Sequence, residues 1–247
     1  VILGLPIMVM EFAVGRASQK SCASSFKVLE PKGTKWHWYA VFGMAGNYLL
    51  MMFYTTVAGW MLAYIVRNAQ GKFIGASADA VGAEFNSMLA DPWGQLFWMV
   101  VAVVIGFAVC SRGLQQGVEK VTKAMMVCLL VLMIVLAVRS VTLPGAAEGL
   151  RFYLVPDFSK VAENGLFTVV YAAMGQSFFT LSLGIGAMAI FGSYIGKDRS
   201  LTGESINIVI LDTFVALTAG LIIFPACSAY GADAGRGPGL VFVTLPN

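Results

Sequence analysis

Two carboxylates stand inside otherwise apolar runs of this chain: Glu11 in GLPIMVMEFAVGR and Asp212 in INIVILDTFVALTAGLIIF. A third run, from about 165 to 194, carries Gln176, Ser177, Thr180 and Ser182 at its middle, within GQSFFTLSLGIG. These residues supply no nucleophile with its base, no paired carboxylates and no metal-ligand spacing. The single histidine, His37, sits at a loop boundary, where an interfacial role fits it. Enzyme chemistry is therefore not what they point to. A lone carboxylate in an apolar run costs several kcal/mol unless it is paired or protonated. Asp212 thus reads as a proton-bearing or snorkelling acid, or as a cation ligand. A hard ion such as Na⁺ takes oxygen donors, and Asp212, the Thr180 hydroxyl and freed carbonyls near Phe179 and Thr180 would supply part of such a set. Glu11, close to the end of its run, is either a functional acid or one that reaches the interface. Tyr54, mid-run, needs a partner for its hydroxyl, in a neighbouring helix or in a ligand.

The elements that position these groups are membrane helices. Of 247 residues, 58% are hydrophobic and only 12% charged, and mean hydropathy is +0.80. Soluble domains carry about a quarter charged residues, so the composition excludes a soluble globule. Membrane spans are read at about 1–14, the end of one, and at about 38–66, 94–111, 118–141, 165–194 and 205–224. Trp36, Trp38 and Tyr39 open the second as an interfacial belt, and Asp91-Pro92-Trp93-Gly94 opens the third. Residues 225–247 read as an extracellular loop region. The chain begins inside an apolar run and reads as the middle of a longer membrane protein in one transmembrane domain. Four cysteines without paired spacing, Cys22, Cys110, Cys128 and Cys227, behave as small apolar residues.

Ten of the sixteen Lys and Arg fall in alternate loops, 16–37, 111–123 and 195–204. The positive-inside bias places these loops in the cytoplasm of a cell inner (plasma) membrane. The excess of cations belongs to that bias and does not imply nucleic acid. The first run then points inward and the fifth enters from outside.

The fifth run is not a plain span. Polar side chains at mid-depth are followed by Gly184 and Gly186, and free backbone groups at that depth are tolerated only when buried in protein or lining a site. One reading is two half-helices, about 165–179 and 184–194, joined by an unwound 180–183, as where transporters hold substrate and coupling ion. The other is close helix packing by small residues.

GQSFFTLSLGIG followed by SYIGKD resembles the sixth helix of the neurotransmitter:sodium symporter family, bacterial branch. GLPIMVMEFAVGR is similar to the family's second helix, FYTTVAGW with Tyr54 to its third, RGLQQGVEK to the loop into its fifth. LVPDF precedes the sixth, and GPGLVFVTLP resembles the fourth extracellular loop. The resemblance covers essentially the whole chain. It implies an all-α polytopic fold of two inverted five-helix repeats, with the first helix lying before Val1 and the eighth after Asn247. It implies a sodium-coupled symporter that imports an amino acid by alternating access, or a non-transporting amino-acid sensor on the same fold. Proton coupling through Asp212 is a further alternative.

Residue by residue, the resemblance places the Tyr54 hydroxyl on the substrate carboxylate, Phe179 as an aromatic lid and Leu50, Ser182 and Ile185 around the substrate side chain. Carbonyls at Phe179 and Thr180 would receive the ammonium, at the negative end of a half-helix. Thr180 and Asp212 would serve sodium, Glu11 would brace the unwound part of the first helix, and Tyr194 would stand at the cytoplasmic gate. Gln176 and Ala216 occupy positions that surround chloride in animal members. Asp212 stands where many members have Asn, and Ala216 lacks a hydroxyl, so a fixed charge replaces the anion and chloride-independence follows. Ile185 in place of an aromatic leaves room for a hydrophobic or aromatic amino acid. A proline ten residues beyond the Gly117 position, which helps unwind the fifth helix in some members, is Val127 here.

Overall fold

The computed structural model describes residues 2–111, 113, 118–230 and 242; among these every regular element is helical. In chain order they are α1 (Gly4–Ser18), α2 (Cys22–Leu29), a 3-10 turn (Trp36–Trp38), α3 (Tyr39–Ala69), α4 (Ala78–Ala90), α5 (Pro92–Cys110), α6 (Lys120–Val141), α7 (Ala146–Leu154), α8 (Phe158–Asn164), α9 (Leu166–Thr180), α10 (Ala187–Gly192) and α11 (Leu201–Tyr230). Among the described residues, four segments are long and apolar enough to cross a membrane: Trp36–Ala69, Pro92–Cys110, Lys120–Val141 and Leu201–Ala229.

Helix starts follow local chemistry. The Ser77 hydroxyl accepts from the Ala80 N–H and the Asp91 carboxylate from the Gly94 N–H, the latter with Pro92 in the first turn, each satisfying a donor the helix leaves orphaned. Four short helices, α2, α4, α7 and α8, lie in stretches that read from sequence as loops. They are too brief for apolar periodicity to announce them.

α11 runs on to Tyr230 with Pro225 inside it, so residues 225–230, expected in an extracellular loop, are helical. The proline removes one ladder donor, and neighbouring segments hold the surrounding backbone. The Ser140 hydroxyl donates to the Ile222 carbonyl at 2.6 Å, and the Ser228 hydroxyl donates to the Gly145 carbonyl at 3.0 Å. Gly149 lies directly against the backbone of Phe224 and Pro225, where a β-carbon has no room. Of RGLQQG only Gly113 is described, and Gly117 and the Gly-rich tail with the strip after it lie outside the described residues, Phe242 excepted.

The chain divides into two compact units. One comprises Val1–Leu50 and Asp157–Ala216, the other Met51–Pro156 and Leu217–Asn247. The first has its core in Met8, Phe12, Leu181, Leu183, Leu201 and Val209. In it α1 crosses α10 backbone on backbone. A β-carbon at Gly15 would fall 1.9 Å from the Ala189 carbonyl oxygen, and one at Gly192 2.5 Å from that of Phe12. Only glycine permits this approach. The second unit has an aromatic core of Tyr64, Phe73, Phe85 and Phe242, with Phe85 and Phe242 stacked at 5.2 Å. Here α3 meets α5 through Gly59, against the Met99 backbone, and through Trp60 Nε1, which donates to Gln95 Oε1 at 3.1 Å. No residue of α5 is buried.

Candidate functional site: the broken helix

α9 stops at Thr180, and six residues, Leu181–Gly186, turn before α10 begins at Ala187. The interruption lies slightly later than the expected 180–183. The reason is the backbone. Ser182, Gly184 and Gly186 all adopt positive φ, at 52°, 85° and 76°, a region that ends a right-handed helix. Leu181 and Leu183, each 5% exposed, turn into the core formed by α1 and α11. They anchor the turn.

Backbone groups released by such a break need partners in an apolar medium, and side chains from two helices provide them. The Gly184 N–H donates to Glu11 Oε1 at 2.6 Å. The Tyr39 hydroxyl donates to the Gly184 carbonyl at 2.7 Å. The Asn47 amide donates to the Ile185 carbonyl at 2.8 Å and, with the same nitrogen, to the Gly43 carbonyl of its own helix at 2.8 Å. The Ser182 and Leu183 N–H groups fold back onto the carbonyls of Phe179 and Phe178, at 3.2 and 3.0 Å. Glu11 Oε2 is buried and has no hydrogen-bond partner among the described residues. Gly186 is covered by Cys22, whose sulfur lies where a β-carbon would go. Burial and, secondarily, the charge of Glu11 push the Cys22 thiol above its ordinary value of 9.0, since both oppose the thiolate.

At the end of α9 the Thr180 hydroxyl donates to Asp212 on α11, 2.9 Å from Oδ1 and 3.2 Å from Oδ2. A carboxylate and a hydroxyl therefore converge beside the last carbonyls of a helix, a concentration of oxygen suited to a hard cation. Among the described residues, no three His, Cys, Asp or Glu side chains come together elsewhere as an alternative.

The remaining expected site residues are distributed as follows. Ser182 and Ile185 lie in the turn, and Phe179, 55% exposed, stands at its edge. Leu50, half-buried, closes the α3 portion of the first unit, whereas Tyr54 belongs to the second. There Tyr54 lines an apolar cleft of about 400 Å³ with Met51, Thr55, Ala102, Gly106 and Phe107. Gln176 and Ala216 are exposed. Tyr194, two residues beyond α10, is 64% exposed. His37, at the loop boundary, pairs with Glu30 at 2.9 Å.

Sequence reading passed over Asn47, Tyr39, Cys22 and the Gly15–Gly192 crossing. Asn47 carried a usable signal, because an amide inside an apolar run needs a partner. Tyr39 reads from sequence as part of the interfacial belt, and nothing local marks Cys22 or either glycine.

Comparison with known proteins places this arrangement. Residues 85–247 match the family described as the sodium:neurotransmitter symporter family. An uncharacterized sodium-dependent transporter of Bacillus subtilis (strain 168), YhdH, is 37% identical over 246 residues, covering 100% of this chain and 53% of that protein. One of Haemophilus influenzae is 31% identical, covering 100% of this chain and 55% of its own length. The crystal structure of MhsT in complex with L-phenylalanine is similar at a TM-score of 0.88 and 40% identity, covering 100% of this chain and 55% of that one. The chain thus spans about half the length of these relatives, and they are described as transporters, not enzymes. A helical fold with apolar spans, interrupted between α9 and α10 and shared with MhsT, makes this chain a member of the sodium:neurotransmitter symporter family.

Proposed function

We propose that the protein is a sodium-coupled symporter that imports an amino acid by alternating access. The observation that carries this is the Thr180–Asp212 pair at the end of an interrupted membrane helix in a chain of this family. Na⁺ is cargo, held in part by Asp212, Thr180 and carbonyls of the turn. Membrane potential contributes about 2.3 kcal/mol per charge per 100 mV to its entry, which drives accumulation of the co-transported molecule.

The substrate is a hydrophobic or aromatic amino acid. Support comes from Ile185, which stands with Leu50 and Ser182 among the side-chain positions and replaces an aromatic found in some relatives, and from the L-phenylalanine bound to MhsT. In this reading Tyr54 holds the substrate carboxylate, Phe179 covers the site, and the carbonyls of Phe179 and Thr180 receive the ammonium. Glu11 uses Oε1 on Gly184, and its unpartnered Oε2 suits a second brace to another segment of the full-length protein. Tyr194 serves the cytoplasmic gate, and Gln176 lies where animal members hold chloride. Transport is chloride-independent, because Asp212 supplies the negative charge that the anion brings elsewhere. The protein sits in the plasma membrane, with the loops at 16–37, 111–123 and 195–204 in the cytoplasm.

The deciding experiment is uptake of a panel of labelled amino acids by the full-length protein in proteoliposomes, with Na⁺ or K⁺ outside and chloride present or replaced. Sodium-dependent, chloride-indifferent uptake of hydrophobic or aromatic amino acids is expected. Uptake that follows pH instead of Na⁺ would replace sodium with proton coupling, and sodium-dependent binding without flux would make the protein a sensor.

A further inference from the structure

The interrupted segment is held from two sides by different kinds of contact. On one side α1 interlocks with α10 through Gly15 and Gly192, and Leu181 and Leu183 sink into the core beside Met8 and Phe12. Backbone packed on backbone cannot slide without dismantling that core. On the other side, α3 reaches the turn through two polar side chains, Tyr39 to the Gly184 carbonyl and Asn47 to the Ile185 carbonyl. Two hydrogen bonds can open and close without disturbing apolar packing.

We propose that Tyr39 and Asn47 are positioning residues: a latch by which α3 fixes the Gly184–Ile185 peptide groups, sets the place of Ile185 in the amino-acid site and keeps Gly186 seated against Cys22. Asn47 is suited to this because its amide nitrogen is shared between the turn and the Gly43 carbonyl. When the turn leaves, the amide keeps one partner and the helix stays intact. Tyr39 holds the carbonyl of the residue whose N–H Glu11 already holds, so both peptide groups around Gly184 are pinned. The Tyr39 hydroxyl is 3.8 Å from the β-position of Gly186, which the Cys22 sulfur covers. Opening the latch therefore uncovers that thiol.

The effect on substrate rests on the transport reading; the effect on Cys22 does not. The test uses the full-length protein in proteoliposomes with Cys110 and Cys128 replaced by serine, comparing the parent with Asn47→Ala and Tyr39→Phe. For sodium-driven uptake of L-phenylalanine, each variant raises KM by about three- to tenfold while kcat stays within about twofold, the split expected when a binding geometry is loosened. In parallel, labelling of Cys22 by a maleimide accelerates by a similar factor in each. Tyr39→Phe removes one oxygen only and guards against misfolding of the alanine variant. Unchanged Cys22 labelling in both variants overturns the latch, as does a fall in kcat with KM unmoved, the mark of a purely structural role. If the parent moves no amino acid, the transport reading fails and the labelling comparison alone decides the latch.

Discussion

The Thr180 hydroxyl and the Asp212 carboxylate bind each other across 2.9 and 3.2 Å, one at the last residue of α9 and the other midway along α11. Thr180 is the donor, and the threonine oxygen keeps lone pairs for a cation. Asp212→Asn keeps the shape and removes the charge. Uptake by the full-length protein is expected to disappear, or to return only when chloride is supplied. Chloride-indifferent uptake at the parent rate would rule out the role given to Asp212.

Gly15→Ala is expected to be severe. The added carbon falls 1.9 Å from the Ala189 carbonyl, and overpacking of this kind costs about 1–3 kcal/mol or more. Gly46→Ala, in α3 with open space around its β-position, is the control and should be neutral or stabilising by about 0.5–1 kcal/mol. Thermal unfolding in detergent compares the two. Equal stabilities would mean that α1 and α10 do not cross as closely as described.

Ser182 holds φ at 52° without being glycine. Ser182→Gly should relieve about 1–2 kcal/mol of backbone strain and raise the unfolding temperature. It should also weaken amino-acid binding, because the hydroxyl is lost and the turn loosens. Ser182→Val should do the opposite to stability, since a β-branched residue tolerates that conformation worst. A glycine variant less stable than the parent would contradict the strain.

Glu30 and His37 give the loop at 16–37 a pH dependence. Burial raises the Glu30 carboxyl, but the hydrogen bonds and charge of His37 outweigh it and hold the group below its ordinary 4.5. A carboxyl lowered on folding stabilises fully above its unfolded value and loses that contribution as pH falls through the folded one. The stability advantage over Glu30→Gln should therefore be lost as pH falls through the folded carboxyl's value, which lies below its ordinary 4.5. An advantage that persists at pH 2 would show that the carboxylate is not its source.

The sequence and the structure agree best where a residue type has one physical use. Gly184 and Gly186 after a polar stretch announced an interruption because positive φ suits glycine, and Asp212 announced a partner because a lone carboxylate in an apolar run needs one. The interruption lies slightly beyond the expected place because Thr180 still completes α9, which composition alone does not specify. The bonds that hold the turn were out of reach. Tyr39 and Asn47 lie more than a hundred positions from the carbonyls they meet, and no local period encodes that distance. The continuation of α11 through Pro225 was hidden for a related reason: a proline reads as a terminus unless surrounding segments are known to compensate for it.

The bare face of α5 bears on how the chain enters a bilayer. A helix with no fully buried residue, touching α3 along one side through Gly59 and Trp60, owes most of its placement to partition between water and lipid. It can be threaded into the membrane as it leaves the ribosome, before the segments that follow have been made. The polar turn between α9 and α10 cannot be accommodated so early, because its freed peptide groups need Glu11, Tyr39 and Asn47 already in place. Biogenesis is thereby ordered: the self-sufficient spans are laid down first, and the interrupted one is admitted only once its hosts are waiting.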